Sequence, residues 1–174
     1  MEDNSTPRNK YGKSNQELNE EKYLRLFRDN PQPMWIYDLE SLQFLEVNNA
    51  AINDYGYSKE EFLSMTLADI RPKEDVPALY EDVKKTWRKY NKAGVWRHLK
   101  KNGELILVSI ISHEIDYEGR KARYVMISDI TEEIKFREAL QVSESNFRQL
   151  FENNITIMLI VDPETANIID ANQA

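Results

Sequence analysis

Residues 95–131 read VWRHLKKNGELILVSIISHEIDYEGRKARYVMISDIT. Three runs rich in β-branched and aromatic residues, Val95 to Lys100, Leu105 to Ile115 and Lys121 to Ser128, are separated by Lys101-Asn102-Gly103 and Asp116-Tyr117-Glu118-Gly119. Such runs bounded by turn residues predict a three-stranded antiparallel meander, with Asn102-Gly103 supplying the positive φ angles of a tight hairpin. In the middle run Ile106, Val108 and Ile110 alternate with Leu107 and Ile111, so both faces carry bulky apolar groups. One face is expected to cover the core, and the other to receive the N-terminal helix or a partner subunit.

Upstream of the meander, Leu79, Val83, Trp87 and Tyr90 share one face of a helix that begins after Asp75 and is closed by Gly94. Before it, a turn over Leu67 to Ile70 stops at Arg71-Pro72, and Ser58-Lys59-Glu60-Glu61 forms a capping box that carries Phe62 and Leu63 inward on a short helix. Asn48 caps another short helix, which bears Ala51, Ile52 and Tyr55 and ends at Gly56. Met34 to Tyr37 and Phe44 to Val47 form a hairpin around Asp38-Leu39-Glu40-Ser41. Leu18, Tyr23, Leu26 and Phe27 fall at helical spacing and stop at Asn30-Pro31, while residues 1–13 have the polar composition of a disordered tail.

Compared with itself, the chain repeats. Residues 23–50 align without a gap onto residues 147–174, with Leu26/Leu150, Phe27/Phe151, Asn30/Asn154, Met34/Met158, Asp38/Asp162 and Asn48/Asn172 among the identities. A period of this length is a whole small domain. The organisation expected is a tail over 1–14, an N-terminal amphipathic helix over 15–30, one complete domain over 31–131, a linking helix over 132–150 and the truncated start of a second domain over 151–174. That second piece is too short to bury its own apolar residues.

The order of elements and several local motifs resemble a PAS domain. Val47-Asn48-Asn49-Ala50-Ala51 followed by Tyr55-Gly56-Tyr57-Ser58-Lys59-Glu60-Glu61 is similar to that family's passage from strand to helix, Arg71-Pro72-Lys73-Glu74-Asp75 to the segment before its long helix, and Trp96 to Gly103 to its first meander hairpin. Asp129-Ile130-Thr131 matches the signature that ends the domain. The resemblance implies an α+β fold: a five-stranded antiparallel sheet with small helices on one face, flanked by N-terminal and C-terminal signalling helices. Between sheet and helices such domains hold a ligand or cofactor. It further implies a sensory module relaying ligand or conformational signals through the C-terminal helix to a downstream output domain, a histidine kinase in a phosphorelay. The alternative is a small-molecule or non-covalent flavin sensor of a cyclic-dinucleotide enzyme or transcription regulator.

Composition narrows the chemistry. With 30 acidic against 23 basic residues and a net charge of −7, the chain has no basic stripe for nucleic acid. The absence of cysteine rules out thiolate metal sites, cysteine nucleophiles and thiol-adduct flavin photochemistry. No apolar run approaches the roughly 20 residues of a membrane span, so the fragment reads as cytoplasmic, with any anchor elsewhere in a longer protein. His98 and His113 both fall on strands, too few for a zinc site of the usual kind and not on the long helix from which the family presents a haem ligand. No catalytic residues, no nucleotide-binding glycine loop and no metal site are expected.

If a pocket exists, Tyr55, Ile70, Leu79, Val83, Val108, Ile110 and Tyr124 are the expected lining, although large rings such as Trp35, Trp96 and Tyr124 more often fill a small core. Arg97 and His98 are adjacent on a strand, so at most one can point inward. After Thr131, residues 132–146 contain no glycine or proline and should form a relay helix, with Asp129 and Thr131 passing changes from sheet to helix. Asp129 serves equally as a simple helix cap. Phe136, Leu140, Ser143, Phe147 and Leu150 follow a near-heptad pattern that suits a homodimer through the flanking helices, or the packing of a single amphipathic helix on its own domain.

Overall fold

The computed structural model describes residue 22 and residues 24–84 and 91–174. The expected tail, most of the N-terminal helix, and Trp87 and Tyr90 lie outside the described residues. Residues 24–28 are helical (α1). Strands β1 (Met34–Asp38) and β2 (Phe44–Val47) follow, then helices α2 (Asn49–Tyr55) and α3 (Lys59–Ser64), a 3-10 turn (Lys73–Asp75), α4 (Val76–Lys84) and the meander β3 (Asn91–Leu99), β4 (Leu105–Tyr117) and β5 (Arg120–Asp129). The chain divides into two compact units, the first ending at Ile130.

In the first unit the five strands form one antiparallel sheet in the order β2-β1-β5-β4-β3. The first hairpin therefore docks beside the last strand, with Met34 opposite Met126 and Asp38 opposite Ala122. Alternation along β4 and β5 sends Ile106, Val108, Ile110, Val125 and Ile127 into the core, where they meet Trp35, Phe44, Tyr55, Phe62, Ile70 and Leu79. The rings pack edge to face: Trp35 meets Phe44 and Tyr55 with centroids 5.5 Å apart, and Phe44 meets Phe62 at 5.2 Å. On the opposite face of the sheet, Phe27 of α1 packs on Tyr124 at 6.0 Å.

The short helices are held by their ends. At the start of α3, Ser58 Oγ accepts from Glu61 N at 3.2 Å and Glu61 Oε2 accepts from Ser58 N at 2.8 Å. The same Glu61 carboxylate is bound by Lys101 of the β3–β4 turn at 2.6 Å, joining cap to hairpin. Ser58→Ala should cost about 1 kcal/mol. Urea unfolding measures it, and an unchanged midpoint would show that Glu61 and Lys101 hold α3 without the serine.

Two turns differ from expectation. In the β3–β4 connection only Gly103 has positive φ (+84°), Gly103 N donates to Lys100 O and Lys100 N to Glu104 O. This is a three-residue loop with a left-handed glycine, not an Asn-Gly turn with both angles positive. The two-residue turn with both φ positive is Glu118-Gly119, at +53° and +76°. Gly94 does not close a helix either. Strand β3 begins at Asn91, and Gly94, at φ +76°, occupies the register shift between Lys92 and Val95.

The second unit consists of α5 (Thr131–Glu152) and a hairpin of β6 (Leu159–Val161) and β7 (Ile168–Ala171). This hairpin reproduces the bonds of the first one. Asn48 accepts from Met34 N and donates to Asn30 O and Gln32 O; Asn172 accepts from Met158 N and donates to Asn154 O and Thr156 O. Asp38 and Asp162 each accept from the backbone two and three residues on, and Leu42 and Ala166 take the same left-handed conformation. Leu159, Val161, Ile168 and Ile169, in contrast, are exposed.

Candidate functional site

Between the inner face of the sheet and α4 lies a cavity of about 30 Å³, room for one or two water molecules. Its apolar walls are Trp35 of β1, Leu67, Leu79 and Val83 of the helical side, and Ile110 and Val125 of the central strands. Trp96 of β3 closes another side. The remaining walls are polar: Tyr37, Arg71, Asp82, Ser112 and Arg123. Flavins and haems need several hundred cubic ångströms, so neither fits this space.

Arg71 is buried because the turn that Arg71-Pro72 ends is pressed against the sheet. Its Nη1 donates to Leu67 O at 2.6 Å, its guanidinium lies 5.5 Å from the Trp96 ring centroid, and its Nε has no acceptor. Burial pulls its pKa down to about 10, opposed chiefly by the nearby Tyr37, Tyr55 and Asp82. Arg123, two residues before the core residue Val125 on β5, is buried on the same face and lies opposite Tyr37 of β1, whose phenol feels its charge. Burial raises the Tyr37 pKa despite both arginines, so the phenol stays protonated at neutral pH.

A second polar pair lies deeper. His98, wholly buried, shares a 2.7 Å hydrogen bond between Nδ1 and the Tyr55 hydroxyl, while its Nε2 has no partner. Burial, reinforced by the positive charge of Arg71, holds the imidazole neutral well below its ordinary pKa. Its neighbour Arg97 faces the other way and binds Asp75 at 2.6 Å and Glu74 at 3.2 Å.

The sequence profile of the PAS domain family matches residues 31–132, and a second PAS domain profile matches residues 145–174. The chain belongs to the PAS domain family. A methyl sulfide methyltransferase-associated sensor of Methanosarcina acetivorans is 26% identical over 131 residues, which is 75% of this chain and 13% of that relative. The chain thus spans a small part of the relative's length. Among solved structures, the PAS domain of an HTR-like protein from Haloarcula marismortui superposes with a TM-score of 0.59 at 17% identity, covering 66% of this chain and 94% of the other. A PAS domain from a two-component sensor histidine kinase gives a TM-score of 0.55 at 25% identity, covering 66% and 98%.

In this PAS fold Leu79, Val83 and Ile110 stand on the cavity wall. Tyr55, Ile70 and Val108 are core residues packed beside it, not on it. Tyr124 must be corrected: strand alternation turns it to the outer face, against Phe27 and His113, with its hydroxyl 2.9 Å from Met34 Sδ. Asp129 is the last residue of β5, opposite Val108, and Thr131 the first of α5. The sequence reading missed the buried arginines and the Tyr55–His98 pair. Period two along β5 already set Arg123 on the face of Val125 and Ile127, and along β3 it set His98 with Trp96. Among the described residues no helix is long and apolar enough to cross a membrane.

Proposed function

We propose that this chain is the sensing and relay segment of a modular signalling protein, in which the cavity state is transmitted through β5 into α5 and onward to an output domain. The observation that carries this reading is continuity. Ser112, Arg123 and Val125 are both cavity walls and residues of the central strands, and β5 passes through Asp129 into α5 at Thr131, with Ile130 N anchored on Leu107 O of β4. A change in how the cavity is filled is felt by β4 and β5, because close-packed cores respond to a volume change of even one methylene. Asp129 and Thr131 are then the relay residues. The names of relatives support a sensor, and that of one a histidine kinase, so the output proposed is a histidine kinase in a phosphorelay.

Val125→Ile adds one methyl group on the scale of the cavity. Hydrogen exchange should then change by about fivefold at the amides of residues 131–140, a coupling of ordinary allosteric size. Altered exchange confined to β4 and β5, with α5 unmoved, sinks the relay.

The partner proposed is a second copy, joined along α5. Phe136, Leu140, Phe147 and Leu150 are 74%, 50%, 55% and 73% exposed, and their spacing fits a parallel pair. Leu140→Glu should weaken self-association at least about tenfold in sedimentation equilibrium, as a charge placed in an apolar seam does. A wild-type chain that stays monomeric at high concentration removes the dimer.

A further inference from the structure

The cavity is charged in an unbalanced way. Arg71 and Arg123 are 6% and 5% exposed and line the same space, yet among the described residues its only acidic wall is the half-buried Asp82. Among the described residues no carboxylate lies within ion-pair distance of either guanidinium. Residues 85–93, which follow α4, contain no aspartate or glutamate. Arg71 Nε and Trp35 Nε1, borne by two of the lining residues, are buried without acceptors. Buried charges are ordinarily paired and buried donors ordinarily satisfied, so this group of residues is short of one negative, hydrogen-bond-accepting partner.

The missing partner has a definite chemistry. Two buried guanidiniums with no carboxylate at ion-pair distance among the described residues suit a small anion. Guanidinium groups present fixed forks that suit the two oxygens of a carboxylate. The rest of the wall, Leu79, Val83, Ile110 and Val125, is apolar and cannot satisfy a phosphate or sulfate on all sides. At about 30 Å³ the empty space takes one or two water-sized groups, so only the smallest carboxylates can enter, and their tail must push α4 aside at Leu79 and Val83.

Resting on the sensing role proposed above, we infer that the cavity is a receptor for a short-chain carboxylate of the size of acetate or propionate, held between Arg71 and Arg123 with its carbon tail against Leu79, Val83 and Ile110. Binding supplies the missing counter-charge and hydrogen-bond acceptor together, so the liganded core is better satisfied than the empty one. Because Arg123 and Ser112 belong to the central strands, the same event acts on the elements that lead to α5.

Isothermal titration of the purified chain with sodium propionate and sodium acetate, in buffer matched with sodium chloride, tests this, with propionamide as the uncharged isostere and sodium nitrate as the planar anion without a tail. Propionate is expected to bind one to one, to change the fluorescence of Trp35 and Trp96, and to raise the melting temperature. Propionamide should bind at least about tenfold more weakly, as should the variants Arg71→Gln and Arg123→Gln toward propionate, because each removes a charge-assisted hydrogen bond. Leu79→Phe, which fills the cavity and keeps both arginines, should abolish binding while leaving the fold's circular dichroism intact, so a binding loss is not read from an unfolded variant alone. Equal affinity for propionamide, a preference for nitrate over both carboxylates, failure of acetate and propionate to bind, or full binding by Arg71→Gln overturns the inference. If carboxylates fail while Val125→Ile still alters exchange in α5, the ligand class is wrong and the relay stands; if they bind and α5 does not respond, the receptor stands and the relay falls.

Discussion

Asn48→Ala is expected to destabilise the domain by about 3 kcal/mol. The Asn48 side chain accepts from Met34 N and Ala51 N, both at 2.9 Å, and donates to Gln32 O at 2.7 Å and Asn30 O at 3.3 Å, all from a position with no solvent exposure. One residue thus caps α2, fixes the first residue of β1 and pins the segment that leads into it. Alanine leaves two buried amides without acceptors, each costing roughly 1–3 kcal/mol when water cannot reach them. Urea denaturation at constant slope measures the loss. The matched substitution Asn172→Ala removes three equivalent bonds at an exposed site, where water replaces them, and should shift the main transition hardly at all. A loss under about 1 kcal/mol for Asn48→Ala would mean that the site hydrates when opened.

Acidification from pH 7 to pH 5 should cost about 2 kcal/mol through His98 alone. The sign follows from proton counting. Above an unfolded-state pKa of about 6.5 the imidazole is neutral in both states and contributes no slope. Below it the unfolded chain binds a proton that the buried ring, facing Tyr55 and the cation of Arg71, refuses. The unfolded state is then favoured by about 1.4 kcal/mol per pH unit. Carboxylates whose pKa is lowered in the fold, such as Asp38, Asp75 and Glu61, lose their contribution only below their unfolded values near pH 4, outside this window. Denaturant unfolding of the wild type and of His98→Gln at both pH values isolates the effect. Parallel stability profiles for the two proteins would show that His98 is protonated in the folded state or hydrated there.

Much of this architecture is local and therefore readable. The Asn48 cap, the Ser58–Glu61 capping box, the left-handed Gly56 and the meander depend on residues within a few positions of one another. The repeat was legible because the hairpin's turn and its asparagine lock are set by side chains that recur in order. Turn types were less so: Asn102-Gly103 fits two loop lengths, and register with Glu104 decides between them. Gly94 stood where a helix end and a strand bulge share the same glycine signal. The site was the least legible part. Arg71, Arg123 and His98 look by composition like surface residues, and only the pairing of β1 with β5 and of β3 with β4 brings them under one roof. Tyr124 shows the opposite error, since an aromatic residue in a central strand has two faces to choose from.

The duplicated asparagine lock also bears on the order in which the molecule assembles. In the first unit β1 is flanked by β2, a few residues away, and by β5, at the far end of the domain. The second unit has the same lock and the same hairpin bonds around β6, in the two-stranded sheet of β6 and β7. The bonds of the lock join residues no more than 18 positions apart, so nothing in their geometry waits for the long-range pairing. During synthesis the hairpin can be set as soon as Asn48 and Ala51 have emerged, whereas the costly closure of the sheet must wait for β5. The docking of the N-terminal hairpin onto the completed meander is then the expected slow step of folding, and α5 follows directly behind the strand that makes that step possible.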